Sequence, residues 1–242
     1  MNKTILVCLL FWACSTMAQT VSYHLNGQAY EGFYTSPDAD APLVLLLHDW
    51  DGLTEYEIQR AQMLALQGYA VFAADLFGAG VRPTQDADKR QHTGALYQDR
   101  AKMRTLIQAA LLKAGELGAD IDNTVVMGYC FGGAAVLEAA RSGADYKGFV
   151  SFHGGLQTPE GQNYRQTKGE LLILHGAADH HISLADFAQL GSELEAQSVN
   201  YEMIAYGGAR HAFTVLGGDR YHPEADRKSW QRLMLFLEQK LQ

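Results

Sequence analysis

The tightest constraint on the fold is a cysteine set among glycines, Gly128-Tyr129-Cys130-Phe131-Gly132. The apolar run Thr124-Val125-Val126-Met127 precedes it, and the helix-like stretch from Ala134 to Ala140 follows. A strand that turns sharply into a helix strains the residue at the apex, and the positions two before and two after it must be small. This is the G-x-nucleophile-x-G elbow, with cysteine where serine is usual. The turn lifts the thiol above the end of a sheet and frees the following N–H, that of Phe131, to face a developing oxyanion. A buried, inert structural cysteine fits the same five residues. The downstream sequence separates the two readings.

Leu171 to Leu174 reads as a buried parallel strand running into His175-Gly176, with Asp179 in the loop beyond it. Val199 to Tyr206 reads as the next strand, followed by Gly207-Gly208-Ala209-Arg210-His211. Nucleophile, acid, histidine is the chain order of α/β-hydrolases, each placed just past the carboxyl end of a strand. In that arrangement His211 takes the thiol proton and Asp179 holds the imidazole tautomer. Singly, Asp179 reads as a loop-capping aspartate and His211 as a surface histidine. Their order and strand phase favour the Cys130, His211, Asp179 triad.

With these motifs on view, the chain resembles the dienelactone hydrolase family. The resemblance rests on Gly128 to Gly133, on His175-Gly176-Ala177-Ala178-Asp179 and on Gly208-Ala209-Arg210-His211-Ala212-Phe213. His48-Asp49-Trp50-Asp51-Gly52-Leu53 and the stretch from Gly68 to Leu76 fit as well, so the likeness spans roughly residues 25 to 240. It implies a cysteine-dependent hydrolase of activated esters or lactones, working through a thioester acyl-enzyme. By position it assigns the second oxyanion N–H to Trp50, beside that of Phe131. The family carries a glutamate that contacts the resting thiol where this chain has the shorter Asp49, which also reads as a turn residue capping its own loop. Arg82 stands near a family arginine that pairs with a substrate carboxylate, a task suited to a planar guanidinium, although a solvated loop arginine reads the same way. Tyr129 joins it as a substrate-binding candidate. A second family arginine is replaced by Val215.

The remaining elements agree with a doubly wound, mostly parallel sheet with helices on both faces. Asn26-Gly27 between β-like stretches predicts an N-terminal hairpin. Leu43 to Leu47 reads as a strand covered on both faces. Thr54 with Glu57 forms a capping box opening a helix with Ile58, Ala61, Leu64 and Ala65 inward. Val81 to Gly94 is polar and aperiodic and reads as a loop or lid. Met103, Leu106, Ile107, Ala110 and Leu111 give a helical stripe, as do Phe187, Leu190 and Leu194, and Trp230, Leu233 and Leu237. A single α/β-hydrolase domain over residues 19–242 is expected.

Residues 1–18 read as a secretory signal. A short positive start precedes an apolar stretch from Thr4 to Ala13, and Thr16-Met17-Ala18 is a small-residue cleavage site. The stretch is too short to span a bilayer, so the mature protein is expected to be periplasmic or secreted, with no stable membrane association unless Cys14 is lipidated. Removing the leader removes Cys8 and Cys14 and leaves Cys130 alone, without an intramolecular disulfide. A redox sensor would need a resolving cysteine. The formal charge of −8 argues against nucleic-acid or anionic-membrane partners. No metal is expected, because the histidines form no ligand spacing. No cofactor is implied either, since Gly78-Ala79-Gly80 is too short for a phosphate cradle. The expected partner is a small-molecule ester or lactone, and the sequence carries no signal for an oligomeric state. The alternative is a non-catalytic exported protein that binds a small molecule on the same fold.

Overall fold

A computed structural model of the chain describes residues 17–241. The leader assigned to residues 1–18 therefore lies, but for its last two residues, outside the described residues. Among the described residues eight strands form one sheet: β1 (Met17–Leu25), β2 (Gln28–Ser36), β3 (Pro42–Leu47), β4 (Ala70–Ala74), β5 (Asp120–Tyr129), β6 (Gly148–Phe152), β7 (Glu170–Gly176) and β8 (Tyr201–Tyr206). Their spatial order is β1-β2-β4-β3-β5-β6-β7-β8. The first two are antiparallel, β2 is antiparallel to β4, and every pairing from β4 to β8 is parallel. Asn26 and Gly27 take positive φ of 51° and 81° at the hairpin turn, the conformation that Asn-Gly turns supply.

Among the described residues six helices flank the sheet: α1 (Glu55–Ala65), α2 (Asp86–Gln98), α3 (Arg100–Glu116), α4 (Phe131–Arg141), α5 (Leu184–Ala196) and, after the last strand, α6 (Pro223–Lys240). Strand residues alternate between two cores. Leu43, Leu45 and Leu47 pack with α3, α4 and α5 on one face, while Val44 and Leu46 pack with α1 and α6 on the other. A continuous apolar strand is what burial on both faces requires. The Thr54–Glu57 capping box is formed at the start of α1.

Val81 to Gly94 is not the loop or lid expected. From Asp86 it is α2, whose buried residues are Thr93 and Leu96 alone. A helix that gives so little surface to the core lacks the apolar stripe that would reveal it.

Topology places the site. Leaving β3, the chain crosses through α1 to β4 on one side, and the other neighbour of β3 is β5. The connections diverge there, and the carboxyl ends of β3 and β5 border the crevice where open α/β sheets bind ligands.

Candidate active site

Cys130 stands at the apex between β5 and α4 with φ 51° and ψ −111°, a strained conformation for a residue with a side chain. Close backbone approach explains the glycines. A Cβ on Gly128 would fall 2.4 Å from the Gly132 carbonyl carbon, and one on Gly132 would fall 2.3 Å from the Leu47 carbonyl oxygen. The Cys130 N–H is shared between the Phe152 carbonyl oxygen at 3.0 Å and His153 Nδ1 at 3.2 Å. The elbow is thereby fastened to the next strand.

The three residues read as a triad meet. His211 Nε2 lies 3.2 Å from Cys130 Sγ, and His211 Nδ1 lies 2.8 Å from Asp179 Oδ2. The other oxygen of Asp179 accepts the N–H groups of His181 at 2.8 Å and Ile182 at 3.0 Å. Burial works against the Asp179 charge. The His211 hydrogen bond and the two N–H groups outweigh it and bring the pKa down to about 2. An ionised Asp179 requires the proton on His211 Nδ1, which leaves the Nε2 lone pair facing the thiol.

The thiol itself is held protonated. Burial, then the nearby Asp49 carboxyl, push its pKa above the usual thiol range, against the Phe131 N–H directed at the sulfur. The sulfur facing His211 Nε2 therefore carries its proton at rest. Phe131 lines the cleft at Cys130 together with Trp50. Trp50 has no hydrogen-bond acceptor for its backbone N–H among the described residues. Those are the two N–H groups expected to serve an oxyanion.

Asp49 also lines this cleft, but its hydrogen bonds run elsewhere. Oδ1 accepts the Asp51 N–H at 3.1 Å. Burial, then the neighbouring Asp51 and Glu57 carboxyls, raise the Asp49 pKa well above the usual carboxylate value. No hydrogen bond joins Asp49 to Sγ among the described residues. The Asp49 N–H reaches Glu57 Oε1 at 3.3 Å, and His48 bridges the Asp49 carbonyl at 2.6 Å and the Leu76 N–H at 3.1 Å. Loop and strand end are thus braced from below.

Two substrate-binding assignments need correction. Arg82 is not among the residues lining the cleft. Its guanidinium donates to the Val81 carbonyl at 2.8 Å and the Glu31 carbonyl at 3.4 Å and sits 3.7 Å from Asp75. It therefore fastens the loop after β4 to β2. Tyr129 is fully buried, its ring 5.1 Å from Tyr56 and 4.8 Å from Phe152. Adjacent strand residues point to opposite faces, so the residue next to Cys130 is turned under the sheet.

Other cleft residues escaped the sequence reading. The cleft measures about 740 Å³, and Lys89, Arg90 and Tyr97 of α2 line it together with His181 and Ile182. The α2 residues were hidden because the helix itself was. His153 lies wholly buried behind the elbow. Among the described residues no group of three or more histidine, cysteine or acidic side chains is arranged to hold a metal ion.

A mostly parallel sheet with Cys130, Asp179 and His211 carried past β5, β7 and β8 has the architecture of an α/β-hydrolase. The family follows from comparison: the dienelactone hydrolase family model matches residues 30–241, and the chain belongs to that family of ester and lactone hydrolases. It is 24% identical over 224 residues to a "Putative carboxymethylenebutenolidase" of Escherichia coli (strain K12), covering 88% of this chain and 83% of that one. It is 26% identical over 231 residues to a "Probable 2-oxo-3-(5-oxofuran-2-ylidene)propanoate lactonase" of Bradyrhizobium, covering 88% and 90%. A solved structure of a dienelactone hydrolase-like promiscuous phosphotriesterase from metagenomic libraries superposes with a TM-score of 0.86 at 28% identity, over 94% of this chain and 99% of that one.

Proposed function

We propose that this protein hydrolyses activated esters or lactones through a thioester on Cys130. The observation that carries the reading is one imidazole, His211, set between Cys130 Sγ at 3.2 Å and Asp179 Oδ2 at 2.8 Å. In the first half-reaction Sγ attacks the carbonyl carbon as its proton passes to His211 Nε2. The Phe131 and Trp50 N–H groups receive the oxyanion. Collapse breaks the carbon–oxygen bond, and the leaving oxygen takes the proton from the imidazolium, beside the ionised Asp179. Water then attacks the thioester, giving its proton to His211. The sulfur departs and recovers that proton as the thiol.

Thiolate leaves more readily than alkoxide, so substrates with good leaving groups suit this site best. The names of the Escherichia coli and Bradyrhizobium relatives, one a butenolidase and the other a lactonase, support the lactone arm of the reading. Rapid-quench mass spectrometry with a slowly deacylating ester is expected to show the acyl mass on the peptide containing Cys130. Steady turnover with no such adduct, or an adduct elsewhere, would remove the mechanism. The apolar leader supports export to the periplasm or exterior, with lipidation at Cys14 as the alternative fate.

A further inference from the structure

The cleft over Cys130 carries three cations, and each already has an anionic partner. Lys89 Nζ lies 3.6 Å from Asp51, Arg90 lies 3.1 Å from Asp86, and Arg220 lies 3.6 Å from Asp219. All six residues line the cleft. The fourth acid there, Asp49, is held toward its protonated form by burial and by the neighbouring Asp51 and Glu57 carboxyls. The lining charges therefore cancel, and no lining lysine or arginine among the described residues is left without an acid. Lys89 is held twice, since Nζ also sits 4.8 Å above the centre of the Trp50 ring. Between these pairs the wall is apolar: Trp50, Tyr97, Phe131, Ile182 and Val215.

From this arrangement we propose that the cleft selects esters and lactones whose acyl portion is uncharged and apolar, and discriminates against a substrate carboxylate. The inference rests on the hydrolase reading above and specifies its substrate class. A carboxylate entering the cleft would have to take a cation from an aspartate that already holds it. Exchanging one solvated ion pair for another gains little, while the new carboxylate loses hydration against an apolar wall. The formal charge of −8 on the whole chain adds a long-range penalty for anions. A neutral aryl or alkyl acyl group meets neither cost and buries its surface against the aromatic side chains.

The test compares the para-nitrophenyl esters of phenylacetate and para-carboxyphenylacetate at low ionic strength. They share a leaving group, and the distant carboxylate of the second cannot attack its own ester. The neutral ester is expected to show a kcat/KM higher by about fivefold to tenfold. Asp51→Asn frees Lys89, and Asp86→Asn, at an exposed position that tolerates change, frees Arg90. At least one of them should narrow the gap to about twofold or reverse it. Equal or faster turnover of the carboxylate ester by the wild-type protein overturns the proposal. A gap that both variants leave untouched overturns it as well, because the ion pairs would then not be its cause. Failure to cleave either ester, or turnover that survives Cys130→Ala, counts against the hydrolase reading instead.

Discussion

His153 accepts the Cys130 N–H on Nδ1 at 3.2 Å, so the imidazole behind the nucleophile must carry its proton on Nε2. That Nε2–H donates to Thr214 Oγ1 at 2.9 Å, and Thr214 Oγ1 lies 2.7 Å from the Tyr56 hydroxyl. Burial, with the neighbouring His211 as a second cause, keeps the His153 pKa well below the usual histidine value. A neutral ring here fixes the elbow without placing a positive charge beside His211, whose ring centre is 5.3 Å away.

Thr214→Val tests that brace. Valine matches threonine in shape but offers His153 Nε2–H no acceptor, and an unsatisfied buried donor costs about 1–3 kcal/mol. Urea unfolding is expected to show a loss of that size with an unchanged m-value. An unaltered midpoint would mean that the Cys130 N–H and the packing on Tyr129 and Phe213 hold the ring without help from Thr214.

Opposed titrations lie beneath the Asp49 loop. Burial raises the Glu57 pKa from the usual 4.5 to about 7. Between those values the folded state holds a proton that the unfolded chain releases, so this group's stabilisation falls as pH rises. Burial lowers His48 from 6.5 to about 4. There the unfolded chain binds the extra proton, and stability falls as pH drops from 6.5 towards 4. His153 and His175 are shifted in the same direction as His48. Glu57→Gln removes the opposing slope. Its urea midpoint should decline more steeply on acidification over this window than that of the wild type, whatever offset comes from the altered bonds to Thr54 and Asp49. Parallel profiles for the two proteins would show that Glu57 does not titrate in this range.

The elbow was legible because sterics leave it few alternatives. Glycines two residues either side of a cysteine, between an apolar run and a helix, leave little but a strand-to-helix turn. Asp179 and His211 followed because each sits one loop beyond a run apolar enough to be a buried strand. The cleft wall was not legible. In α2 Thr93 and Leu96 alone are buried, so the helix that carries Lys89, Arg90 and Tyr97 has no 3.6-residue stripe to announce it. Arg82 and Tyr129 were misplaced for a related reason. Position along the chain puts a residue near the site, but it does not say which way the side chain turns.

Cys130→Ala is expected to lower ester hydrolysis by roughly 10³-fold or more, as loss of a triad nucleophile does elsewhere, with the fold retained. Cys130→Ser should be weak, since a site that rests with its thiol neutral gives an alkoxide even less help. Because the thiol pKa is raised above the 9.0 of a free cysteine, the rate of iodoacetamide alkylation should keep rising through alkaline pH. A plateau reached near neutrality would instead reveal a preformed thiolate, contrary to the raised pKa of Cys130.

The last prediction concerns the amino terminus. The leader reading cuts after Ala18, and β1 begins at Met17, pairing Met17 with Ser36 and Ala18 with Thr35 at the sheet edge. A cut there removes two of the nine residues of β1 and leaves Gln19 to Leu25 paired with β2. Little stability should be lost, because Gln19 and Thr20 are exposed and the first buried anchors of the strand are Val21 and Tyr23. Expression from Met1 in a secreting bacterial host, followed by intact-mass analysis of each cell fraction, is expected to give a periplasmic or secreted chain beginning at Gln19. Thermal unfolding of that chain should match a version starting at Met17 to within about 2–4 °C, the shift that 1 kcal/mol produces in a domain of this size. A membrane-fraction chain beginning at a diacylglycerol-modified Cys14 would replace export of a free enzyme with anchoring, and a cytosolic chain retaining Met1 would rule out both.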